Sequence, residues 1–408
     1  MKAQRLYAKA TITPKGERAL EGGHPWVYDA EVLGIEGDYE NGELVDVVST
    51  KGKYLGTGFI SETSKIRIRV ISHNANDKFD AAFFKRRLQH AWNHRKTVMA
   101  SDDDLKCCRV IFGEADLFPG LTVDRFGTVL VTQVLSLGIE KIKSMLFPLL
   151  LEVLREDGQD IQGIYERNDV AIRELEGLQQ YKGWFTEPLA STVTTITENG
   201  IQYEVDFENG QKTGFFLDQK YNRQAVARIA RGKTVLDCFT HTGSFALNAA
   251  TGGAAHVTAV DVSESAIAMA MKNAEANGLS DRMDFKVADV FDLLPELSSG
   301  AQAYKYDFII LDPPAFTKSR HTIKNAMRGY KEINLRAMKL LPRGGYLATC
   351  SCSHFASEEL FCNMLQEAAK DAGVILRQIE ARQQAPDHPI LWNVDETNYL
   401  KFYLFQVG

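Results

Sequence analysis

Val235-Leu236-Asp237-Cys238-Phe239-Thr240-His241-Thr242-Gly243-Ser244-Phe245 reads as a buried strand, a tight turn and the start of a helix. A turn of this kind brings backbone close to a ligand at the carboxyl end of the strand. Gly243, flanked by the small Thr242 and Ser244, permits that approach, and Phe239 lies within the same turn. The G-x-G-x-x-G fingerprint is missing, which disfavours a dinucleotide pyrophosphate. Asp237 would repel a phosphate, yet it suits an ammonium such as that of a methionine moiety.

Outward from this turn, strands and helices alternate. Strands are predicted at 234–238, 256–260, 283–287, 306–311 and 345–350, and helices at 243–251, 264–277, 329–341 and 356–371. An apolar run at 399–407 suits a closing strand. This alternation predicts an α/β fold with a doubly wound sheet. Asp261 follows the second strand and fits a ribose hydroxyl pair; Asp289 follows the third, where a carboxylate either accepts from an adenine amino group or caps the next helix. Upstream, Thr213-Gly214-Phe215-Phe216 sets small residues beside two aromatics, either as a lid on an adenosine or as a core-packed turn.

Asp307-Phe308-Ile309-Ile310-Leu311-Asp312-Pro313-Pro314-Ala315-Phe316 is the sharpest motif. Its apolar strand ends in an acid held by two prolines, whose fixed φ stiffens the turn. Asp312 and nearby carbonyls can then accept hydrogen bonds from a flat ring, with Pro313 and Pro314 shaping the turn and Phe316 stacking on that ring. The next strand runs into Cys350-Ser351-Cys352-Ser353, beside the Asp312 loop in a doubly wound sheet. A thiolate is a strong nucleophile even at modest population. Cys352, at the strand end, is the candidate nucleophile, while Cys350 lies within the apolar run as a structural thiol.

The first 190 residues have a different character. Residues 1–72 form a small β-rich unit in which Ile66-Arg67-Ile68-Arg69-Val70 predicts one buried and one basic face. Residues 73–190 read as a central α+β segment, and residues 191–408 as the catalytic domain, opening with a hairpin around Glu198-Asn199-Gly200. The chain has 408 residues and a net charge of −6, but its first hundred residues carry 16 Lys+Arg against 12 Asp+Glu. Local positive surplus points towards phosphate contacts. Six cysteines do not call for disulfides in a chain this long, and their spacing matches no zinc site, so no metal is expected. Without a secretion-type N-terminus at Met1–Tyr7 or a membrane-length apolar run, a cytoplasmic protein with no membrane partner is expected.

At these motifs the chain resembles the bacterial large-subunit rRNA cytosine-C5 methyltransferases of the RlmI type, in which a PUA domain joins a class I, Rossmann-like methyltransferase domain. Gly23-His24-Pro25-Trp26-Val27-Tyr28 and Gly56-Thr57-Gly58-Phe59 resemble the PUA domain; Phe118–Phe126 and Glu166-Arg167-Asn168-Asp169 resemble the central domain. Asp237–Phe245, the Asp-Pro-Pro loop, Ser351-Cys352-Ser353 and Ala385-Pro386-Asp387-His388-Pro389 match the catalytic domain. The resemblance implies S-adenosylmethionine (SAM) as cofactor, held by Asp237, Asp261, Asp289 and Thr213–Phe216. It also implies Cys352 as the catalytic cysteine and 23S rRNA or an assembling large subunit as partner, with a homodimer unsurprising. Asp387-His388-Pro389, with His388 as the substrate-binding candidate, shapes the target-base pocket, supplies a proton acceptor or forms a rigid turn. Asp-Pro-Pro before an aromatic also suits N-methylation of guanine or adenine, which needs no nucleophile. An RNA-binding assembly factor with a vestigial cofactor fold is the non-enzymatic alternative.

Overall fold

A computed structural model describes residues 5–299, 305–317 and 319–408, so Met1–Gln4 of the N-terminal run lie outside the described residues. The chain divides into two compact units. One comprises Met1–Ile196, Val205–Phe215 and Pro386–Thr397; the other comprises Thr197–Glu204, Phe216–Ala385 and Asn398–Gly408. The units therefore do not follow three consecutive segments: three short pieces of the expected catalytic domain, 191–196, 205–215 and 386–397, belong to the first unit.

The first unit holds two sheets. Six strands run in the order Trp26–Tyr28, Ile66–Ser72, Tyr54–Ile60, Leu44–Val48, Lys9–Ile12 and Val32–Glu36. Alternation places Ala10, Ile12, Val45, Val47, Ile68 and Val70 on one shared core. Gly58 is required there, because a Cβ would come within 2.3 Å of the Arg69 carbonyl oxygen on the adjacent strand. The second sheet orders Tyr181–Trp184, Gly163–Asn168, Val129–Val134, Leu121–Phe126 and Cys107–Phe112, with the long helices Ala81–Val98 and Leu137–Glu156 packed together.

The predicted basic face of Ile66–Val70 is not a free one. Arg69 lies between Glu176 (2.9 Å) and Glu114 (3.4 Å), with its guanidinium over the Trp26 ring, and its side chain is 12% exposed. Alternation correctly set which side the arginines occupy, but the acids that neutralise Arg69 come from positions 45 and 107 residues further on.

The second unit is built on seven strands: β1 (Thr234–Cys238), β2 (His256–Asp261), β3 (Met283–Val287), β4 (Phe308–Leu311), β5 (Tyr346–Ser351), β6 (Leu376–Arg382) and β7 (Lys401–Val407). Their order is β3-β2-β1-β4-β5-β7-β6, with β7 antiparallel to both neighbours. β4 is wholly buried, which is why a parallel strand covered on both faces reads as a continuous apolar run. The strand order reverses between β1 and β4, and such a switch opens a crevice at the strands' carboxyl ends. Sequence periodicity passes over β6, an edge strand with mostly exposed side chains, and over the helices Lys220–Ala230 and Val290–Ser299. The helix predicted from 329 begins at Ile323.

Candidate active site

Register brings the site together. Cys238 pairs with Leu311 and Leu311 with Thr349, so Asp237, Asp312 and the Cys350–Cys352 run converge at one end of the sheet. The turn after β1 is strained: Phe239 (φ 65°), His241 (φ 51°) and Gly243 (φ 85°) are all left-handed. Only glycine adopts that region freely, and such strain clusters at ligand sites. A Cβ on Gly243 would also stand 3.0 Å from the Ala270 Cβ.

Asp237 is fully buried. Its Oδ2 accepts from the Thr240 hydroxyl (2.6 Å) and the Ala246 N–H (3.0 Å). Its Oδ1 is buried with no partner among the described residues, as is the Thr242 hydroxyl. Burial pushes the carboxyl up to about 8, and the neighbouring charges of Asp312 and Asp261 act in the same direction. An orphaned acidic oxygen beside a strained, close-packed turn fits the ammonium of SAM, which would bring the cation that this crowded acid lacks.

Asp261 is half-buried and accepts from the His241 N–H (2.9 Å) and the Ser263 N–H (3.0 Å), so it shapes the strained turn whatever it binds. Asp289 is exposed and accepts from the Phe291 N–H (2.8 Å), which builds the helix cap that was one of its two readings. Phe216 sets its ring edge-on to His241 at 5.4 Å and gives its carbonyl to the buried Arg223, which is paired with Glu198 at 2.6 Å.

Thr213, Gly214 and Phe215 belong to the first unit. The Thr213 hydroxyl donates to Asp124 (2.6 Å), which also takes two bonds from Arg109. A Cβ on Gly214 would approach Val205 Cγ1 to 2.8 Å, and Phe215 is buried. Their contacts pack this turn into the first unit. His388 is also in the first unit and is 2% exposed, with Nδ1 2.9 Å from Asp387 and its ring against Phe112. Asp387 in turn accepts from the Arg109 N–H through Oδ2 (2.8 Å) and from Arg95 through its carbonyl (2.8 Å). These bonds make the Asp387-His388-Pro389 run a pinned turn.

Asp312 accepts from Gln219 Nε2 (3.0 Å), and its carboxyl is pushed up to about 7, first by burial and then by Asp218. Pro313 is buried and Pro314 exposed. Cys352 is half-buried, with Sγ 3.9 Å from the Pro313 carbonyl oxygen. Cys350 is fully buried and its thiol is pushed well up by burial, as a structural role requires. Phe316 packs one face on Tyr330 at 4.6 Å and also neighbours Phe291 and Phe239. Gly329 leaves room for this ring, since a Cβ there would lie 3.3 Å from Phe316 Cδ2. Burial pushes the Tyr330 phenol up to about 12, and its oxygen accepts from the Ser351 hydroxyl.

Sequence reasoning missed Gln219, Tyr330, Arg223 and Lys401. Of these, Lys401 carried a signal, as the one charge in the apolar run Leu400–Val407.

Residues 10–73 match the family described as a PUA-like domain, and residues 180–406 match the S-adenosylmethionine-dependent methyltransferase family. Ribosomal RNA large subunit methyltransferase I of Klebsiella pneumoniae is 39% identical over 403 residues, covering 98% of this chain and 99% of its own. The Escherichia coli protein of the same name is 40% identical over 398 residues, covering 97% and 98%. In fold, a methyltransferase structure from Streptococcus mutans superposes with a TM-score of 0.81 at 23% identity, covering 98% of this chain and 99% of that one. A second methyltransferase structure, complexed with SAH, gives 0.82 at the same identity and coverage. The orphaned acid at the β1 turn, the reversed strand order and these matches agree: the chain is an enzyme of the SAM-dependent methyltransferase family, and within it belongs with the ribosomal RNA large subunit methyltransferases I.

Proposed function

We propose that this enzyme methylates C5 of a cytosine in large-subunit ribosomal RNA, with Cys352 as the nucleophile. The observation that carries the reading is the placement of Cys352, half-buried at the end of β5 with Sγ 3.9 Å from the Pro313 carbonyl of the Asp-Pro-Pro loop. An N-methyltransferase has no use for a thiol there. Bound SAM supplies an electrophilic methyl group. The Cys352 thiolate attacks C6 of the base, and C5 gains carbanion character. Asp312, stiffened by Pro313 and Pro314 and oriented by Gln219, accepts from the amino edge of the ring as charge develops. A carboxyl pushed up to about 7 can also hold a proton for N3. C5 takes the methyl group, a base then takes the C5 proton, and the electrons of that C–H bond re-form the C5–C6 double bond as the S–C6 bond breaks and the thiolate leaves.

On this reading Asp237 takes the ammonium, Asp261 the ribose hydroxyls and Asp289 the adenine amino group. Val262, an apolar residue 69% exposed beside Asp261, offers a surface for the adenine. Residues 1–72 would act as the PUA RNA-binding part, 73–190 as a central domain and 191–408 as the catalytic domain. Support for RNA contact comes from the first unit, where Arg86, Arg87, His90 and His94 share a cavity of about 460 Å³ along one helix. Among the described residues no helix is long and apolar enough to cross a membrane, and we place the enzyme with its ribosomal substrate in the cytoplasm.

The test is nucleoside mass spectrometry of unmodified rRNA incubated with SAM and either wild-type or Cys352→Ala enzyme. We expect 5-methylcytidine from the wild type and none from the variant, which should still bind SAM. Undiminished methylation by the variant, or a methylated purine, overturns the reading.

A further inference from the structure

Lys401 opens β7 and pairs in register with Ser351 on β5, so it stands across from the strand end that carries Cys352. It is 5% exposed. Lysine is almost never buried this deeply without a partner for its charge. Its Nζ donates to the carbonyl of Ser353 (2.7 Å), the residue after Cys352, and to that of Tyr399 (3.0 Å). Two neutral carbonyls anchor the head group but bring no negative charge, and an ammonium retains a third N–H. The anions that favour its charged form are Cys352 first and Glu358 second, and Glu358 already accepts from the Tyr403 hydroxyl (2.7 Å). Burial opposes them and brings the ammonium down to about 8.

The other titratable groups facing Cys352 are Tyr330 of the helix Ile323–Leu340 and Cys350 of its own strand, and both also feel the charge of Asp312. All three are acids, and none favours another anion beside it. His354, two residues on, sets its ring edge-on to Phe355.

We propose that Lys401 is a positioning residue whose ammonium, anchored on the Ser353 and Tyr399 carbonyls, is the counter-charge that holds Cys352 as a thiolate. The Sγ–H bond breaks, its proton passes to solvent, and the electron pair stays on sulfur beside the ammonium until it forms the bond to C6. When the S–C6 bond breaks at the end of the cycle, the returning thiolate meets the same cation. This inference rests on Cys352 being the nucleophile, and its test is independent of turnover.

The rate of Cys352 alkylation by iodoacetamide is followed by peptide mass spectrometry across roughly pH 6–10, a range that brackets an ordinary thiol. It is measured on full-length wild-type, Lys401→Met and Lys401→Arg protein. An adjacent cation lowers an acid's midpoint by about 1 unit or more. We therefore expect Lys401→Met to react about tenfold more slowly near pH 7, and Lys401→Arg, which keeps the charge, to react like the wild type. Coincident midpoints in the wild-type and Met proteins overturn the proposal. The reciprocal measurement needs no change at Lys401: the titration of its ε-carbon by NMR in wild-type and Cys352→Ala protein. Linkage requires the Lys401 midpoint to fall when the thiolate is removed, so an unchanged midpoint also overturns the proposal and decides the matter if Lys401→Met fails to fold. Methylation that survives in Cys352→Ala would instead strike at the nucleophile itself.

Discussion

Asp237→Asn should make the ligand-free protein more stable at neutral pH while crippling SAM binding. The Asp237 carboxyl is pushed from an ordinary 3.8 up to about 8, chiefly by burial. For an acid whose folded value is raised, the unfolded chain ionises first. The cost to the fold is absent below about pH 4, grows through neutrality and levels off above about pH 8. Each unit is worth about 1.4 kcal/mol, so at pH 7 the upper bound is about 4 kcal/mol. The bonds from Thr240 and Ala246 can be kept by an amide oxygen, so about 2 kcal/mol of stabilisation is expected in Asp237→Asn at pH 8, fading to nothing near pH 4. Differential scanning calorimetry at the two pH values measures this. Calorimetric titration with SAM should show the opposite effect. A charge-assisted hydrogen bond to the ammonium is worth about 1.5–3 kcal/mol, so the dissociation constant should rise about 10- to 150-fold. A variant that binds SAM like the wild type would refute the assignment of the orphaned oxygen to the ammonium. A variant less stable than the wild type at pH 8 would refute the burial account.

Gly243→Ala places a Cβ in the left-handed region at φ 85° and 3.0 Å from Ala270. A cost of about 2 kcal/mol should lower the unfolding temperature by roughly 4–8 °C, and an unchanged melt would mean the turn is not strained. Asp289→Ala removes the bond to the Phe291 N–H and should cost about 1 kcal/mol, whereas Asp289→Asn keeps it. A rise in the SAM dissociation constant with Asn as well as Ala would show that the carboxylate also serves the cofactor. Arg69→Met leaves the carboxylates of Glu114 and Glu176 unneutralised and should destabilise the protein by about 2–4 kcal/mol on chemical denaturation. RNA affinity should keep its salt dependence, and a reduced slope would mean Arg69 meets phosphate after all.

Much of the catalytic machinery was legible because it sits where strands end. β1 and β4 lie where the apolar runs predicted them, since buried parallel strands advertise themselves as uninterrupted hydrophobic stretches. The acids and prolines that break those runs mark the turns. The difference in burial between Cys350 and Cys352 was legible from position alone, one within the run and one at its edge. What escaped were residues whose role depends on a distant partner. Gln219 orients Asp312 from 93 residues away, and Arg223 meets Glu198 across 25. The Thr213 hydroxyl is bonded to Asp124, 89 residues earlier, a contact that the local sequence does not announce. A lone lysine in an apolar strand was visible, but only the antiparallel insertion of β7 beside β5 gives it a role.

The sequence by itself determined the α/β sheet, the tight turn after Asp237, the stiff Asp-Pro-Pro loop and the thiol at Cys352. These depend on local chemistry: apolar periodicity, the fixed φ of proline and the freedom of glycine. Only the tertiary structure decided how buried charges and polar groups are balanced. It left one oxygen of Asp237 without a donor, closed Arg69 between two glutamates, drew Thr213 and His388 into packed turns and set the Lys401 ammonium beside the strand of Cys352. Burial and pairing depend on which distant groups share a low-dielectric space, and no stretch of contiguous residues carries that information.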